Sequence, residues 1–327
     1  MDCNKSLDIS FVIPIFNEVS NIPLLIDYIC ELESIIKKYK LIKNYEFILI
    51  DDGSTDNSGR VIISEISSKM LNDKIILKRH SDNFGYGMAI QSGIYISKYD
   101  WIIMFDADGQ HKPTEIIKII NQLLNNDRAF LLIGKRQIRA SQNYLKHIGR
   151  KLLNYSEILL LDSKISDSNS GLKCLKKDIY FELNKITPAP TDMSFSQYLT
   201  HMFSLISVTA VQEVLIENLE RHNGNSKILI KDFFIALYQN LRIAYLLKFK
   251  RLTYIFSLSL FFVFIPYSAL TVFIKNSGMP VAGSTAIIIS VILIALVELK
   301  NKDKEKKLNL LKKQLINKYL LNTIYKI

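Results

Sequence analysis

Two aspartates one residue apart form the segment of this sequence that is best suited to chemistry. Asp106 and Asp108 follow the apolar run 101–105, and Gln110 and His111 come directly after them. An apolar run of this length is typical of a buried strand, whereas aspartate is a poor strand former that is rarely buried without a partner. Hard divalent cations take oxygen ligands and often share them with substrate phosphates. Asp106, Asp108 and Gln110 are therefore predicted to bind Mg²⁺ or Mn²⁺; the alternative is a polar turn without a metal.

Polar residues also follow two earlier apolar segments. Asn17 and Glu18 come after 11–16, and Asp52 comes after 45–51. Apolar runs alternate here with stretches of helical periodicity, which predicts an α/β fold with a parallel sheet and right-handed crossovers. Ligands of such sheets bind beyond the carboxyl ends of the strands, so the three polar clusters are expected to meet at one edge. The predicted strands are 11–16, 45–51, 74–79 and 101–105, and the predicted helices are 21–39, a helix ending near 71, and 87–97.

The positive charge of the chain is concentrated in its C-terminal part. Residues 1–230 carry 27 basic and 27 acidic side chains, whereas 231–327 carry 15 basic and 4 acidic ones. Because the excess flanks apolar segments, it favours an anionic membrane surface over nucleic acid as the partner. The three cysteines are too widely spaced for a zinc motif, which suggests a reducing compartment.

Two apolar segments predict a transmembrane hairpin. The segments 254–274 and 281–299 are nearly free of charge and have the length of a helix that crosses a bilayer. The link 275–280 is short and has one lysine, whereas basic residues are frequent in 242–251 and 300–327. The positive-inside rule then predicts an integral protein of the inner or plasma membrane with both termini and the N-terminal domain in the cytosol. Two buried helices of a soluble domain are the alternative.

The remaining segments complete the predicted organisation. The first ten residues have no apolar core of the kind a signal peptide needs, which agrees with a cytosolic N-terminal domain. Apolar residues at helical spacing in 232–247, with a basic end, suit either a helix in the membrane interface or an ordinary packed helix. Small residues in 282–286 would permit close helix packing and leave a homo-oligomer open. The predicted regions are a catalytic domain at 1–230, an interfacial helix at 231–251, the hairpin at 252–300 and a basic tail at 301–327.

Four ordered motifs resemble those of family 2 glycosyltransferases with the GT-A fold. The resemblance covers roughly residues 9–230, and it implies a Rossmann-like, mostly parallel sheet with flanking helices. Among these enzymes the chain is most similar to the polyprenyl-phosphate glycosyltransferases, the group that includes dolichol-phosphate mannose synthase. Three further marks carry this closer similarity, namely Gln110, the segment 167–173 and the segment 221–227. The four motifs are Val12-Ile-Pro-Ile-Phe-Asn-Glu18, Ile50-Asp-Asp-Gly-Ser-Thr-Asp-Asn-Ser58, Asn83-Phe-Gly-Tyr-Gly87 and Asp106-Ala-Asp-Gly-Gln-His111.

The resemblance assigns residues to a donor site for a nucleotide-diphosphate sugar. Pro14 and Glu18 match the family's opening nucleotide-site motif, and Asp52 matches a strand-end aspartate that binds the nucleoside. Asp106 belongs to both the donor site and the metal site. A cation at Asp106 and Asp108 would stabilise charge on the departing nucleotide. Asp52 taken alone is equally compatible with a turn former.

Cationic residues are expected to hold the acceptor phosphate. Arg136 and Arg150, fourteen residues apart, resemble the family's pair of acceptor-phosphate arginines. Arg221, Ser226 and Lys227 lie in a loop that resembles one closing over the acceptor. The planar fork of arginine binds two phosphate oxygens at once. For each cation taken singly, a solvated surface position is the alternative.

The sequence as a whole predicts an enzyme that transfers one hexose, with inversion, to polyprenyl phosphate such as undecaprenyl or dolichyl phosphate. UDP-glucose is the first expectation for the donor. The single tryptophan, Trp101, lies inside a predicted strand, so the Gln-x-x-Arg-Trp motif of processive synthases is absent. Asn154 stands where the family often has a serine, which leaves the detailed phosphate geometry open. The alternatives are transfer to a glycolipid or glycan hydroxyl, with Asp192 as base, and an inactive membrane scaffold.

Overall fold

A computed structural model describes residues 7–315 except 41, 72, 126–128, 138–143, 218–229 and 260–280. The described residues form two compact units. The first contains 7–137 and 165–217, and the second contains 144–164 and 230–315. The predicted division of the chain at residue 230 stays a prediction, and the structure groups 144–164 with the C-terminal helices.

The described strands of the first unit form one seven-stranded sheet in the order β3-β2-β1-β4-β6-β5-β7. Neighbouring strands are parallel except β6, which runs antiparallel to β4 and β5. The four strands expected from the apolar runs are confirmed, and the first two begin earlier than expected. The strands are β1 Leu7–Ile15, β2 Ile42–Asp51, β3 Ile75–Arg79, β4 Trp101–Met104, β5 Leu131–Arg136, β6 Lys173–Lys176 and β7 Val211–Ile216.

Helices follow most of these strands and cover the sheet. Their chain order gives α1 Ile22–Tyr39, α2 Ser58–Ser68, α3 Tyr86–Ile96, α4 Pro113–Asn125, α6 Lys177–Ile186 and α7 Phe195–Ser204 in the first unit. The second unit has α5 Tyr144–Leu161, α8 Ile230–Leu247, α9 at 249–259 and α10 Val281–Leu315. The mostly parallel α/β architecture predicted from the alternating pattern is therefore confirmed.

The core of the first unit explains why β1 and β2 are nearly continuous apolar runs. Strands in the middle of a parallel sheet are buried on both faces, so alternation of polar and apolar residues disappears. Phe11 of β1 stacks on Phe47 of β2 with ring centroids 4.8 Å apart, and Phe105 meets Phe11 edge-on at 6.5 Å. Apolar side chains of α1, α2 and α4 pack against the same cluster. This packing fixes the strand ends that carry the polar clusters.

The second unit contains the region of the predicted hairpin. Most of the first predicted span, 260–274, and the link 275–280 lie outside the described residues, whereas 281–299 forms the first part of α10. Among the helices that the structure describes, none combines the length and the apolar character needed to cross a bilayer. The hairpin therefore stays a prediction.

Candidate functional site

The loops after β1 and β2 are joined by hydrogen bonds at the carboxyl edge of the sheet. The Asn17 backbone N–H donates to Ser54 Oγ at 3.0 Å, and the Asn17 side chain accepts from the Thr55 N–H at 2.9 Å. The Glu18 N–H donates to Ser58 Oγ at 3.0 Å. Asn17 has a left-handed backbone with φ of 53°, which asparagine tolerates better than most residues. The two polar clusters thus meet as the sequence predicted.

Pro14 and Glu18, both expected in the donor site, differ in their exposure to solvent, because Pro14 is buried and Glu18 is half-buried. Pro14 is buried inside β1, in register with Ile50 of β2, and so shapes the strand end. Glu18 lies in the loop beyond β1 and accepts a hydrogen bond from Asn21 Nδ2 at 2.5 Å. The direct contact of these residues with a nucleotide stays a prediction.

Asp52 organises the segment that leads into α3. Its side chain is 3% exposed. Its Oδ1 accepts from the Phe84 N–H at 3.0 Å and lies 2.6 Å from His80 Nδ1, and its Oδ2 accepts from the Gly85 N–H at 2.8 Å. His80 Nε2 is in turn 2.9 Å from Ser92 Oγ on α3. Asp52 therefore holds the wall of the site through several protein contacts, and its predicted contact with the nucleoside is untested.

The neighbouring Asp51 has an internal role. It is fully buried, and its Oδ1 accepts from the Ser54 N–H at 2.9 Å. Its Oδ2 lies 3.4 Å from Arg79 Nε, which is close enough for an ion pair but does not meet hydrogen-bond geometry. Asp51 thus stabilises the loop and does not face the site.

Asp106 and Asp108 lie just beyond β4, at the same edge of the sheet. Asp106 Oδ1 accepts a hydrogen bond from Tyr86 Oη at 3.0 Å. Asp106 Oδ2 lies so close to Gly171 that an added Cβ there would be 2.1 Å away. Both oxygens of this carboxylate are therefore restrained, one by a phenol and the other by backbone. Asp108 Oδ1 accepts from the Gln110 N–H at 3.2 Å and so shapes the turn between them.

The electrostatics of this carboxylate pair suit a divalent cation. Burial, together with the negative charge of Asp108, raises the pKa of Asp106 above its ordinary value. Two ionised carboxylates that repel each other are stabilised by a cation between them. Among the residues that the structure describes, no three side chains from His, Cys, Asp and Glu converge on one point. Further ligands would have to come from Gln110, substrate phosphate or water, which is how proteins commonly bind Mg²⁺.

A cavity of about 340 Å³ lies beside the turn that carries the two aspartates. Its wall includes Tyr28, Phe105, Asp106 and His111. The Tyr28 hydroxyl and His111 Nδ1 are buried and have no hydrogen-bond partner among the described residues. Burial lowers the pKa of His111 to about 4, so its imidazole is neutral at pH 7. His111 thus flanks the segment that carries the two aspartates as a neutral side chain.

Arg136, predicted to bind the acceptor phosphate, is paired with Asp167. Arg136 Nε lies 2.8 Å from Asp167 Oδ2, and Nη2 lies 2.6 Å from Oδ1. The Arg136 backbone N–H also donates to Asp167 Oδ2 at 3.0 Å. Burial raises the pKa of Asp167, but the bonds and charge of Arg136 outweigh it and hold that pKa below its ordinary value. The Arg136 side chain is 38% exposed, and Arg136 ends β5, which runs in the same direction as β4, so it lies at the edge of the sheet that carries Asp106.

Four residues predicted for the acceptor site lie outside the described part of the chain or on a helix of the second unit. Arg221, Ser226 and Lys227 lie outside the described residues. Arg150 lies on α5, in the second unit, but its side chain is not among those described.

Asp192 lies before α7, where its Oδ1 accepts from the Ser194 N–H at 2.9 Å and from the Ser194 hydroxyl at 2.5 Å. Those bonds close the turn that precedes the helix, whose N-cap is Ser194.

The sequence assigned no role in the site to two residues near the carboxylates. Tyr86 lies within the motif 83–87, but the pattern gave no sign that its hydroxyl would bond to Asp106. Lys173 is fully buried at the start of β6. A lysine within the apolar stretch Leu172–Leu175 was an available signal, because lysine is almost never buried unless its charge has partners.

Comparison with known proteins identifies the family of the chain. The family model described as glycosyl transferase family 2 matches residues 10–183. The undecaprenyl-phosphate 4-deoxy-4-formamido-L-arabinose transferase of Proteus mirabilis is 26% identical over 220 residues, which cover 67% of this chain and 62% of that protein. The same-named transferase of Aeromonas hydrophila is 27% identical over 225 residues, with the same coverage. The chain thus matches about three fifths of the length of these curated relatives.

A solved structure shows the same fold at low sequence identity. It is glucosyl-3-phosphoglycerate synthase from Mycobacterium tuberculosis in complex with Mn²⁺, uridine diphosphate and glucosyl-3-phosphoglycerate. The TM-score is 0.53 at 17% identity, over 73% of this chain and 79% of that one. Likeness at this level supports the GT-A fold and nothing finer. Since the family model spans more than half of the chain and its matched region includes the strand ends described above, this protein belongs to glycosyl transferase family 2.

Proposed function

We propose that this protein transfers a single hexose from a nucleotide-diphosphate sugar to polyprenyl phosphate at a membrane surface. The observation that carries the proposal is the joint placement of the Asp106–Asp108 pair and the Arg136 guanidinium at one edge of the sheet. Carboxylates there suit a metal-bound diphosphate, and an arginine fork suits a phosphate acceptor. The curated relatives, which are named as undecaprenyl-phosphate transferases, support this choice of acceptor.

On the donor side, the protein's own residues prepare the position of the diphosphate. Tyr86 fixes the direction of the Asp106 carboxylate by a hydrogen bond. Asp52 fixes the backbone of 84–85, which directly precedes Tyr86. Asp106, Asp108 and Gln110 would hold Mg²⁺ or Mn²⁺, which when bound neutralises charge on the departing nucleotide. In a single displacement, an acceptor phosphate oxygen bonds to the anomeric carbon as the nucleoside diphosphate leaves, which inverts the configuration.

On the acceptor side, the phosphate needs cations and does not need a base. A phosphate monoester is ionised at pH 7 and can attack directly once it is oriented. Arg136 is already aligned by Asp167, and we propose that its remaining N–H groups bind the phosphate. The resemblance assigns Arg150, Arg221, Ser226 and Lys227 to the same acceptor phosphate, and these assignments are part of the proposal.

The second unit supports a position at the membrane. Helix α8 exposes Phe234, Tyr238 and Tyr245, while Asn240 on the same helix is buried and donates to Ser156 Oγ of α5 at 2.6 Å. A helix with one packed face and one aromatic face is suited to the headgroup region. We propose that α8 lies in this interface, that 254–274 and 281–299 anchor the chain, and that the catalytic domain is cytosolic. Retention of the protein in membranes after an alkaline wash would test the anchor.

The proposed donor is UDP-glucose, and a panel assay tests donor and acceptor together. Purified protein with Mn²⁺ is incubated with undecaprenyl phosphate and radiolabelled UDP-glucose, UDP-N-acetylglucosamine or GDP-mannose. One labelled lipid that is lost on adding chelator is the expected result. Nucleotide binding without any lipid product would refute the acceptor and favour a hydroxyl acceptor, in which case Asp192→Asn would abolish transfer to that acceptor.

A further inference from the structure

Lys173 is a fully buried cation at the start of β6. It is in register with Met104 of β4, two residues before Asp106. Its Nζ donates to the carbonyl oxygens of Ser168, at 3.1 Å, and of Ser170, and to Ser196 Oγ at 2.5 Å. An ammonium group has three N–H donors, so these acceptors together use its full capacity. Burial of a lysine is costly unless such partners are present, which points to a function that requires it.

The partners of Lys173 belong to one short segment and the helix beneath it. The segment 168–171, here called the support loop, connects Asp167 to β6. Ser196 Oγ of α7 donates to the Ser170 carbonyl at 2.7 Å, and Thr200 Oγ1 of α7 donates to the Ser168 carbonyl at 2.9 Å. The support loop is therefore bonded to both Lys173 and α7.

The support loop limits where the Asp106 carboxylate can lie. Gly171, its last residue, lies against Asp106 Oδ2, and even a single added carbon there would be 2.1 Å away. Any movement of the loop towards β4 displaces this carboxylate, and any movement away removes one of its two restraints. Tyr86, which bonds to Oδ1, supplies the other restraint.

We infer that Lys173 is a positioning residue for the metal-binding carboxylate, acting through the support loop. The inference rests on the proposed metal-dependent function. It predicts that loss of Lys173 weakens binding of the divalent cation, whereas a purely electrostatic effect would strengthen it. Removing a nearby positive charge should strengthen binding of a dication, whereas loosening the support loop should weaken it.

The test measures Mn²⁺ affinity directly, with no need for turnover. Free Mn²⁺ is titrated by electron paramagnetic resonance, with and without UDP, for the full-length wild type, Lys173→Met and Thr200→Val. Thr187→Val is the matched control, because Thr187 is also a buried threonine whose hydroxyl donates to a backbone carbonyl, that of Leu183 at 3.1 Å. Melting temperatures of all four proteins are recorded beside the affinities.

We expect Mn²⁺ affinity to fall at least tenfold in Lys173→Met and at least threefold in Thr200→Val, with Thr187→Val unchanged. Equal or tighter binding in Thr200→Val would overturn the inference, and this variant decides the matter if Lys173→Met does not fold. Equal weakening in Thr187→Val would also overturn it, because the effect would then be general. A wild type that binds UDP but no Mn²⁺ would refute the metal site of the proposed function itself, and the inference with it.

Discussion

Gly171→Ala should damage the metal site by a predictable displacement. The new Cβ would lie 2.1 Å from Asp106 Oδ2, whereas real Cβ atoms keep at least 3.0 Å from such neighbours. The carboxylate or the support loop must therefore move by about 1 Å to reach even the 3.0 Å limit, and further to reach the 3.4–4 Å of ordinary van der Waals contact. The φ angle of Gly171 is not in the left-handed region, so the cost arises from this contact and not from the backbone conformation.

The expected cost has two parts that can be measured separately. Overpacking at a buried position costs about 1–3 kcal/mol of stability, or roughly 2–4 °C of melting temperature per kcal/mol in a domain of this size. A displacement of about 1 Å at a reacting group costs on the order of 100-fold in kcat/KM. Sugar transfer should therefore fall far more than stability does.

The assay compares Gly171→Ala with Gly93→Ala. An added Cβ at Gly93 in α3 would lie 2.3 Å from Val12 Cγ1, so it creates a similar overlap against an apolar side chain. Melting temperature, Mn²⁺ affinity by electron paramagnetic resonance and sugar transfer are measured on both. Gly171→Ala is expected to lose Mn²⁺ affinity at least tenfold, and Gly93→Ala less than threefold. Equal Mn²⁺ affinity in wild type and Gly171→Ala would refute the claim that this contact sets the carboxylate.

Three further predictions concern the same edge of the sheet. Asp167→Asn should destabilise the protein by about 1–2 kcal/mol at pH 7, a value below that for a fully buried pair because Arg136 is 38% exposed. Since the pKa of Asp167 is lowered in the folded protein, this stabilisation is present above the unfolded pKa of about 3.9 and is lost as pH falls through the folded value. The difference between the denaturant curves of wild type and Asp167→Asn should therefore begin to shrink below about pH 4 and vanish only below the folded pKa, and a constant difference down to pH 2 would contradict the pairing. Tyr86→Phe removes the hydroxyl that bonds to Asp106, a loss of about 1 kcal/mol, so Mn²⁺ affinity should fall roughly three- to tenfold while the melting temperature falls by only roughly 2–4 °C. Removal of divalent cations with EDTA should abolish transfer and added Mn²⁺ should restore it, whereas activity that persists in EDTA would exclude a metal at Asp106 and Asp108.

The sequence by itself determined the strands of the parallel half of the sheet and the polar residues at their ends. Long apolar runs can only be buried strands or helices, and their flanking polar residues identified the ends of β1, β2 and β4. The Asp106–Asp108 pair was visible for the same reason, because adjacent charges at the end of a buried run stand out locally. These features depend on neighbours within a few positions of the chain.

Only the tertiary structure decided which groups surround those carboxylates. The antiparallel insertion of β6 between β4 and β5 brings Gly171 and Lys173 to Asp106, about 65 residues earlier in the chain. The Arg136–Asp167 pair spans 31 positions in the same way. Hydrogen-bond partners at such separations depend on the order and register of the strands in the sheet. The local pattern of apolar and polar residues does not specify that order, because a given strand can be equally well buried at several positions in the sheet.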